Sequence, residues 1–148
     1  MYISIEDLYS QRLRDFVLHN TCNFSNYGLK ALDPAIFVFK DLKVLNLSEN
    51  RLTSLPPEIN RLNQLHSLIL SDNELSCLPE EIGDLQNLES LYLSGNKLQA
   101  LPSTITTLTN LKWFSLLDNN DLTLDKDQLE WLDCLNQSGC RIFCDKLK

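Results

Sequence analysis

Apolar residues fall at fixed intervals from Leu42 onward. Leu42, Leu45, Leu47, Leu52, Leu55, Ile59 and Leu62 form one set, with Asn50 as the polar position among them. The set recurs every 23 residues, starting again at Leu65, at Leu88 and, more loosely, at Leu111. A fixed period in this range predicts a solenoid, because one unit cannot bury its apolar face until neighbours stack on it.

Two shorter periods lie inside each unit. Leu45 and Leu47 alternate in steps of two, which predicts a strand with Val44, Asn46 and Ser48 on its opposite side. Stacking the units aligns Leu45, Leu68, Leu91 and Phe114 in one column and Leu47, Leu70, Leu93 and Leu116 in another. A parallel sheet follows, its strands about 4.8 Å apart. The second half, Leu55-Pro56-x-x-Ile59-x-x-Leu62, spaces its apolar residues by three or four and predicts a helical turn on the outer side. Asn50, Asn73, Asn96 and Asn119 form a structural polar column. A buried amide must be paired, and it carries both donor and acceptor, so this column should tie down the turn that leaves each strand.

The ends depart from the pattern. Stepping back 23 residues exposes a degenerate unit over 19–41, with Cys22, Phe24, Leu29, Leu32, Ile36 and Phe39 at the core positions. Tyr27 replaces the asparagine there, so that turn must be satisfied in another way. Over residues 1–18, a capping-box-like start at Ser4, a staple of Ile3 and Leu8, and a stripe of Ile5, Leu8, Tyr9, Leu13, Phe16 and Val17 predict a helical cap. Residues 42–120 hold four repeats, the last irregular because Leu122 follows Asn119 by three residues. Residues 121–148 predict the C-terminal cap. Asp125 to Gln128 is a capping box, Leu124 and Leu129 a staple, and Leu129, Leu132 and Leu135 one helical face. Gly139 is placed to stop that helix, and the alternation from Cys140 to Cys144 suggests a short final strand. Residues 1–148 are thus expected to form a single domain closed at both ends.

The unit Leu-x-x-Leu-x-Leu-x-x-Asn-x-Leu-x-x-Leu-Pro-x-x-Ile-x-x-Leu resembles the 23-residue class of leucine-rich repeats, over about residues 19–120. The resemblance implies an α/β solenoid with a parallel β-sheet on its concave face, and protein binding on that face. Helical caps at both termini complete the expected architecture.

Function should then lie in positions that escape the repeat. Val44, Asn46, Ile69, Tyr92, Trp113, Ser115 and Leu117 point out of the predicted strands or their ends, with Asp72 beside them. A face needed only for solubility would be uniformly small or charged. Exposed tyrosine and tryptophan among aliphatics are instead what binding hot spots favour. Glu49, Asp72 and Asp118 add an acidic rim suited to a partner with basic residues. Because Trp113 lies in the last repeat, packing beneath the C-terminal cap is the competing expectation for it. The expected role is a non-catalytic, monomeric protein-binding module. Two alternatives are a secreted bacterial effector capturing a host regulator and a specificity subunit for a catalyst on another chain.

Composition narrows the field further. The net charge of −7 over 148 residues offers no basic footprint for nucleic acid or an anionic membrane. No stretch approaches the roughly 18 apolar residues of a spanning helix. The acidic N-terminus lacks a secretory pattern, so a cytoplasmic address is expected, with export by a non-Sec route still compatible.

Of the five cysteines, Cys22 and Cys77 occupy repeat positions, while Cys134, Cys140 and Cys144 do not. Zinc would need a fourth ligand such as Asp133 or Asp145, with no histidine nearby. Reduced thiols are the main expectation, and a Cys134–Cys140 or Cys140–Cys144 bridge the alternative. Four glycines and no phosphate-binding loop argue against nucleotide chemistry. Neither His19 nor His66 has an evident nucleophile partner. No cofactor, metal or catalytic residue is expected.

Overall fold

The computed structural model describes residues 19–145. The helical cap expected over 1–18 lies outside the described residues. Six strands of three residues each follow in order: β1 (Thr21–Asn23), β2 (Val44–Asn46), β3 (Ser67–Ile69), β4 (Ser90–Tyr92), β5 (Trp113–Ser115) and β6 (Arg141–Phe143). They form one parallel sheet in sequence order. The repeat period becomes strand register, with Leu45 opposite Leu68, Leu68 opposite Leu91 and Leu91 opposite Phe114.

Each coil returns through a 3-10 turn, over Pro34–Val38, Pro57–Arg61, Glu80–Asp84 and Ser103–Thr107. The tighter 3-10 geometry suits a segment of only five residues. The repeated Leu-Pro has a local cause as well. Pro56, Pro79 and Pro102 are extended N-caps, with ψ of 152°, 151° and 151°, where proline's fixed φ is already suitable and its missing N–H is no loss.

The leucine columns close into a core. Leu42, Leu45, Leu47, Leu52, Ile59 and Leu62 are all fully buried, as are their counterparts in the next coil. In the degenerate first coil the expected Phe39 is only half-buried, and Phe37 fills the core instead. Phe37 stands where later coils carry Asn60, Gly83 and Thr106, and its larger ring reaches inward from there.

The asparagine column is a ladder between coils. Asn73 accepts the Leu52 N–H at 3.0 Å and donates to the carbonyls of Leu47 and Leu70 at 2.9 and 3.1 Å. Asn50, Asn96 and Asn119 repeat this arrangement. Each amide therefore serves its own strand end and the coil before it. The turn at Tyr27 needs no asparagine of its own, because Asn50 accepts the N–H groups of Tyr27 and Leu29, both at 3.0 Å.

Helix α1 (Lys126–Gln137) covers the end of the last 3-10 turn and opens with the expected capping box between Asp125 and Gln128. Its buried face differs from expectation. Leu129 is 43% exposed, whereas Gln128, Trp131, Leu132 and Leu135 are buried. The reason is polar: the last coil has no following coil, and α1 supplies hydrogen bonds to its carbonyls. Gln128 donates to Leu101 O at 2.9 Å, and the Trp131 indole donates to Leu108 O at 3.1 Å. The helix ends in a Schellman motif, with Cys140 N–H on Leu135 O and Gly139 N–H on Asn136 O, both 3.0 Å. Gly139, at φ +90°, turns the chain back into β6. The tail alternation thus becomes a sixth strand beside β5, with Arg141 opposite Trp113.

Candidate partner-binding face

The outward residues of the strands fall into rows across the sheet. One row runs Thr21, Val44, Ser67, Ser90, Trp113, Arg141, and the next Asn23, Asn46, Ile69, Tyr92, Ser115, Phe143. Val44, Asn46, Ile69, Tyr92 and Leu117 are half-buried by their neighbours, while Asp72 is exposed.

Trp113 is 37% exposed, which decides against burial beneath the cap. Helix α1 approaches the other side of β5, where Trp131 meets the inward Phe114 edge-on at 5.4 Å. Ser115 departs from the expected open position. It is buried, and its hydroxyl is hydrogen-bonded to that of Ser94.

Two residues of this face escaped sequence reading. Arg141 lies with its guanidinium 4.8 Å from the centre of the Trp113 ring, and Phe143 is 44% exposed in the row of Tyr92. Both belong to a strand outside the 23-residue period. The Cys140–Cys144 alternation was their only signal, and it carried no register.

The half of the face nearer β1 is polar and internally organised. Asn46 Oδ1 accepts both the N–H and the hydroxyl of Ser48, at 3.0 and 2.8 Å, and Asn23 does the same for Ser25. Because a backbone N–H must meet an oxygen, the amide orientation is determined and Nδ2 remains available as a donor.

One edge of the face is acidic. Glu49, Asp72 and Asp118 have φ of 56°, 57° and 57°, and Gly95 shares their column at 68°. The turn after each of β2 to β5 requires this left-handed backbone. A side chain at Gly95 would collide with the Asp72 carboxylate, so the glycine leaves room for that acid. Asp145 continues the edge, accepting the Asp118 N–H at 2.9 Å. The opposite edge carries Lys43, His66, Glu89 and Lys112. There Lys112 bonds Glu89 at 2.9 Å, and its donated hydrogen bond holds the Glu89 carboxyl below the usual range.

Chemistry elsewhere is sparse. Cys77, Cys134, Cys140 and Cys144 are free thiols, and Cys22 is buried in the core. Burial pushes the Cys140 thiol pKa up. Among the described residues, no three His, Cys, Asp or Glu side chains are placed to hold a metal, and no helix is long and apolar enough to cross a membrane.

Comparison with known proteins places this geometry. Residues 12–145 match the leucine-rich repeat region family. A solved leucine-rich repeat protein of Leptospira interrogans is 35% identical, with a TM-score of 0.67, covering 81% of this chain and 37% of its own. The leucine-rich repeat ectodomain of the Arabidopsis thaliana receptor kinase SOBIR1 is 26% identical at a TM-score of 0.64, covering 82% of this chain and 66% of its own. The Arabidopsis thaliana BIR2 ectodomain is 32% identical at 0.53, covering 64% and 52%. The chain thus spans little more than a third of the Leptospira protein. No curated protein matches it.

Proposed function

The chain belongs to the leucine-rich repeat family, and from that premise we propose that its concave sheet holds a segment of a partner protein without catalysing a reaction. The fold is generally a protein–protein interaction module. What supports the concave face is one observation: Ile69, Tyr92, Trp113 and Phe143 lie on four successive strands and face outward. Stacking of the repeats organises this surface before any partner arrives, so docking loses little conformational entropy. The acidic edge of Glu49, Asp72 and Asp118 favours a partner with basic residues. The exposed thiols of Cys77 and Cys134 fit a reducing, cytoplasmic setting.

Affinity capture with the wild-type chain beside a Tyr92→Ala, Trp113→Ala double variant tests the reading. Truncating two hot-spot aromatics is expected to weaken the specific partner by about a thousandfold, at about 2 kcal/mol each. Equal recovery of the same proteins by both baits would place the contact elsewhere. Co-purification of a catalytic subunit would recast the module as a specificity subunit, and translocation into host cells would recast it as an effector.

A further inference from the structure

We infer that the occupant of the concave face is an amphipathic α-helix of about three turns, laid across the strands, with lysine or arginine along the flank facing the acidic edge. This rests on the concave-face reading and adds the shape and charge of what binds there.

The shape follows from spacing. Ile69, Tyr92 and Phe143 share one outward row from β3 to β6, three strand intervals or about 14 Å, while Trp113 on β5 stands one outward position, about 7 Å, to the side of that row. Three turns of α-helix span about 16 Å, so its turns stay within about 2 Å of the strand spacing along that row, and its width of about 10–12 Å lets Trp113 meet it from the side. An extended peptide presents one face every second residue, so three of its repeats span about 20 Å and lose register by about 6 Å. Width agrees. From the Trp113 row to the Leu117 row the face is about 13 Å across, close to the diameter of a helix with its side chains, about 10–12 Å.

The charge follows from what is left uncompensated. The ion pairs among the described residues join Lys97 to Glu74, Lys112 to Glu89 and Lys126 to Glu130. None involves Glu49, Asp72 or Asp118, which line one side of the apolar strip. The far side already carries Arg141, stacked on Trp113, and Lys112 in its pair with Glu89. A helix basic on both flanks would meet Arg141, and one acidic on the Asp72 side would meet three carboxylates. Cations on that single flank suit both.

The test presents the wild-type chain with two displayed peptide libraries, one randomised on the face of a fixed helical scaffold and one of linear peptides. Binders are re-tested on a Tyr92→Ala, Trp113→Ala variant and on an Asp72→Asn, Asp118→Asn variant. All replaced side chains point outward, and circular dichroism checks that both variants keep the wild-type fold. The expected result is enrichment from the helical library of apolar residues at three- and four-residue spacing, with Lys or Arg on one flank. Those binders should lose at least tenfold in affinity on the aromatic variant. On the asparagine variant they should lose about three- to tenfold at low salt, with a flatter salt dependence. Concave-face binders drawn only from the linear library overturn the helix, and helical binders lacking a basic flank overturn its charge; either result leaves the concave reading standing. Binders indifferent to the aromatic variant, or no enrichment from either library, overturn both.

Discussion

Replacing an interior asparagine of the ladder should cost less than replacing one at either end. In Asn73→Leu, the Leu52 N–H loses its acceptor in a fully buried site. The three carbonyls that Asn73 contacted each keep another donor, because Leu47 O still receives Asn50 at 2.8 Å, Leu70 O still receives Asn96 at 2.9 Å and Ser71 O still receives the Glu49 N–H at 3.0 Å. One orphaned buried donor costs about 1–3 kcal/mol. In Asn50→Leu, the Tyr27 and Leu29 N–H groups and the Phe24 carbonyl all lose the Asn50 amide. Asn119→Leu likewise strands the Leu98 N–H and the Leu116 carbonyl. Two buried groups orphaned at either end bring the cost to about 2–6 kcal/mol, before the partly buried Tyr27 N–H is added at the Asn50 end.

Urea unfolding of the three variants against wild type reads this ordering directly. Asn73→Leu should fall between wild type and the two end variants, with an unchanged slope reporting one cooperative transition. A reduced slope in an end variant alone would report fraying of the terminal coil, which nearest-neighbour stacking permits. The sharing of carbonyls between successive amides is refuted if Asn73→Leu is as damaging as Asn50→Leu and Asn119→Leu. A leucine tolerated without loss at position 73 would refute the structural role altogether.

Two further outcomes are expected from the convex side. A Cβ at Gly83 would sit 2.6 Å from both the Cβ and the backbone carbonyl of Thr104, so Gly83→Ala should destabilise by about 1–3 kcal/mol through overpacking. Trimming Thr104 should not fully restore it, because the carbonyl remains; an unchanged thermal midpoint for Gly83→Ala would show that the two coils stand further apart. Glu80 caps the next turn, and the Thr104 N–H donated to its carboxylate at 3.1 Å heads the hydrogen bonds that hold it below the usual carboxylate range. A depressed folded pKa contributes stability above the unfolded pKa and loses it as pH falls through the folded one. Glu80→Gln should therefore be less stable than wild type at neutral pH, with the difference closing in acid. Denaturation midpoints measured across pH check this, and a pH-independent gap would contradict it.

Periodicity alone determined the repeated part of this protein. A leucine every second residue and then every third or fourth can be buried only if successive units stack, and stacking identical spacings forces the columns into register. Position along the chain therefore specified which residues of β2 to β5 face inward, and Tyr92 and Trp113 were legible as outward before any coordinates. Only the tertiary structure decided what happens where the period stops. Helix α1 turns on Trp131 and Gln128 rather than Leu129, because the last coil exposes carbonyls that need donors, and leucine has none. The reversal at Gly139 then lays Arg141 and Phe143 beside β5, completing a face to which the sequence assigned only its middle strands. Ser115 shows the same limit at one residue: the alternation pointed it outward, but its neighbours buried it. Alternation reports the direction of a side chain, whereas exposure depends on neighbours brought there by distant parts of the chain.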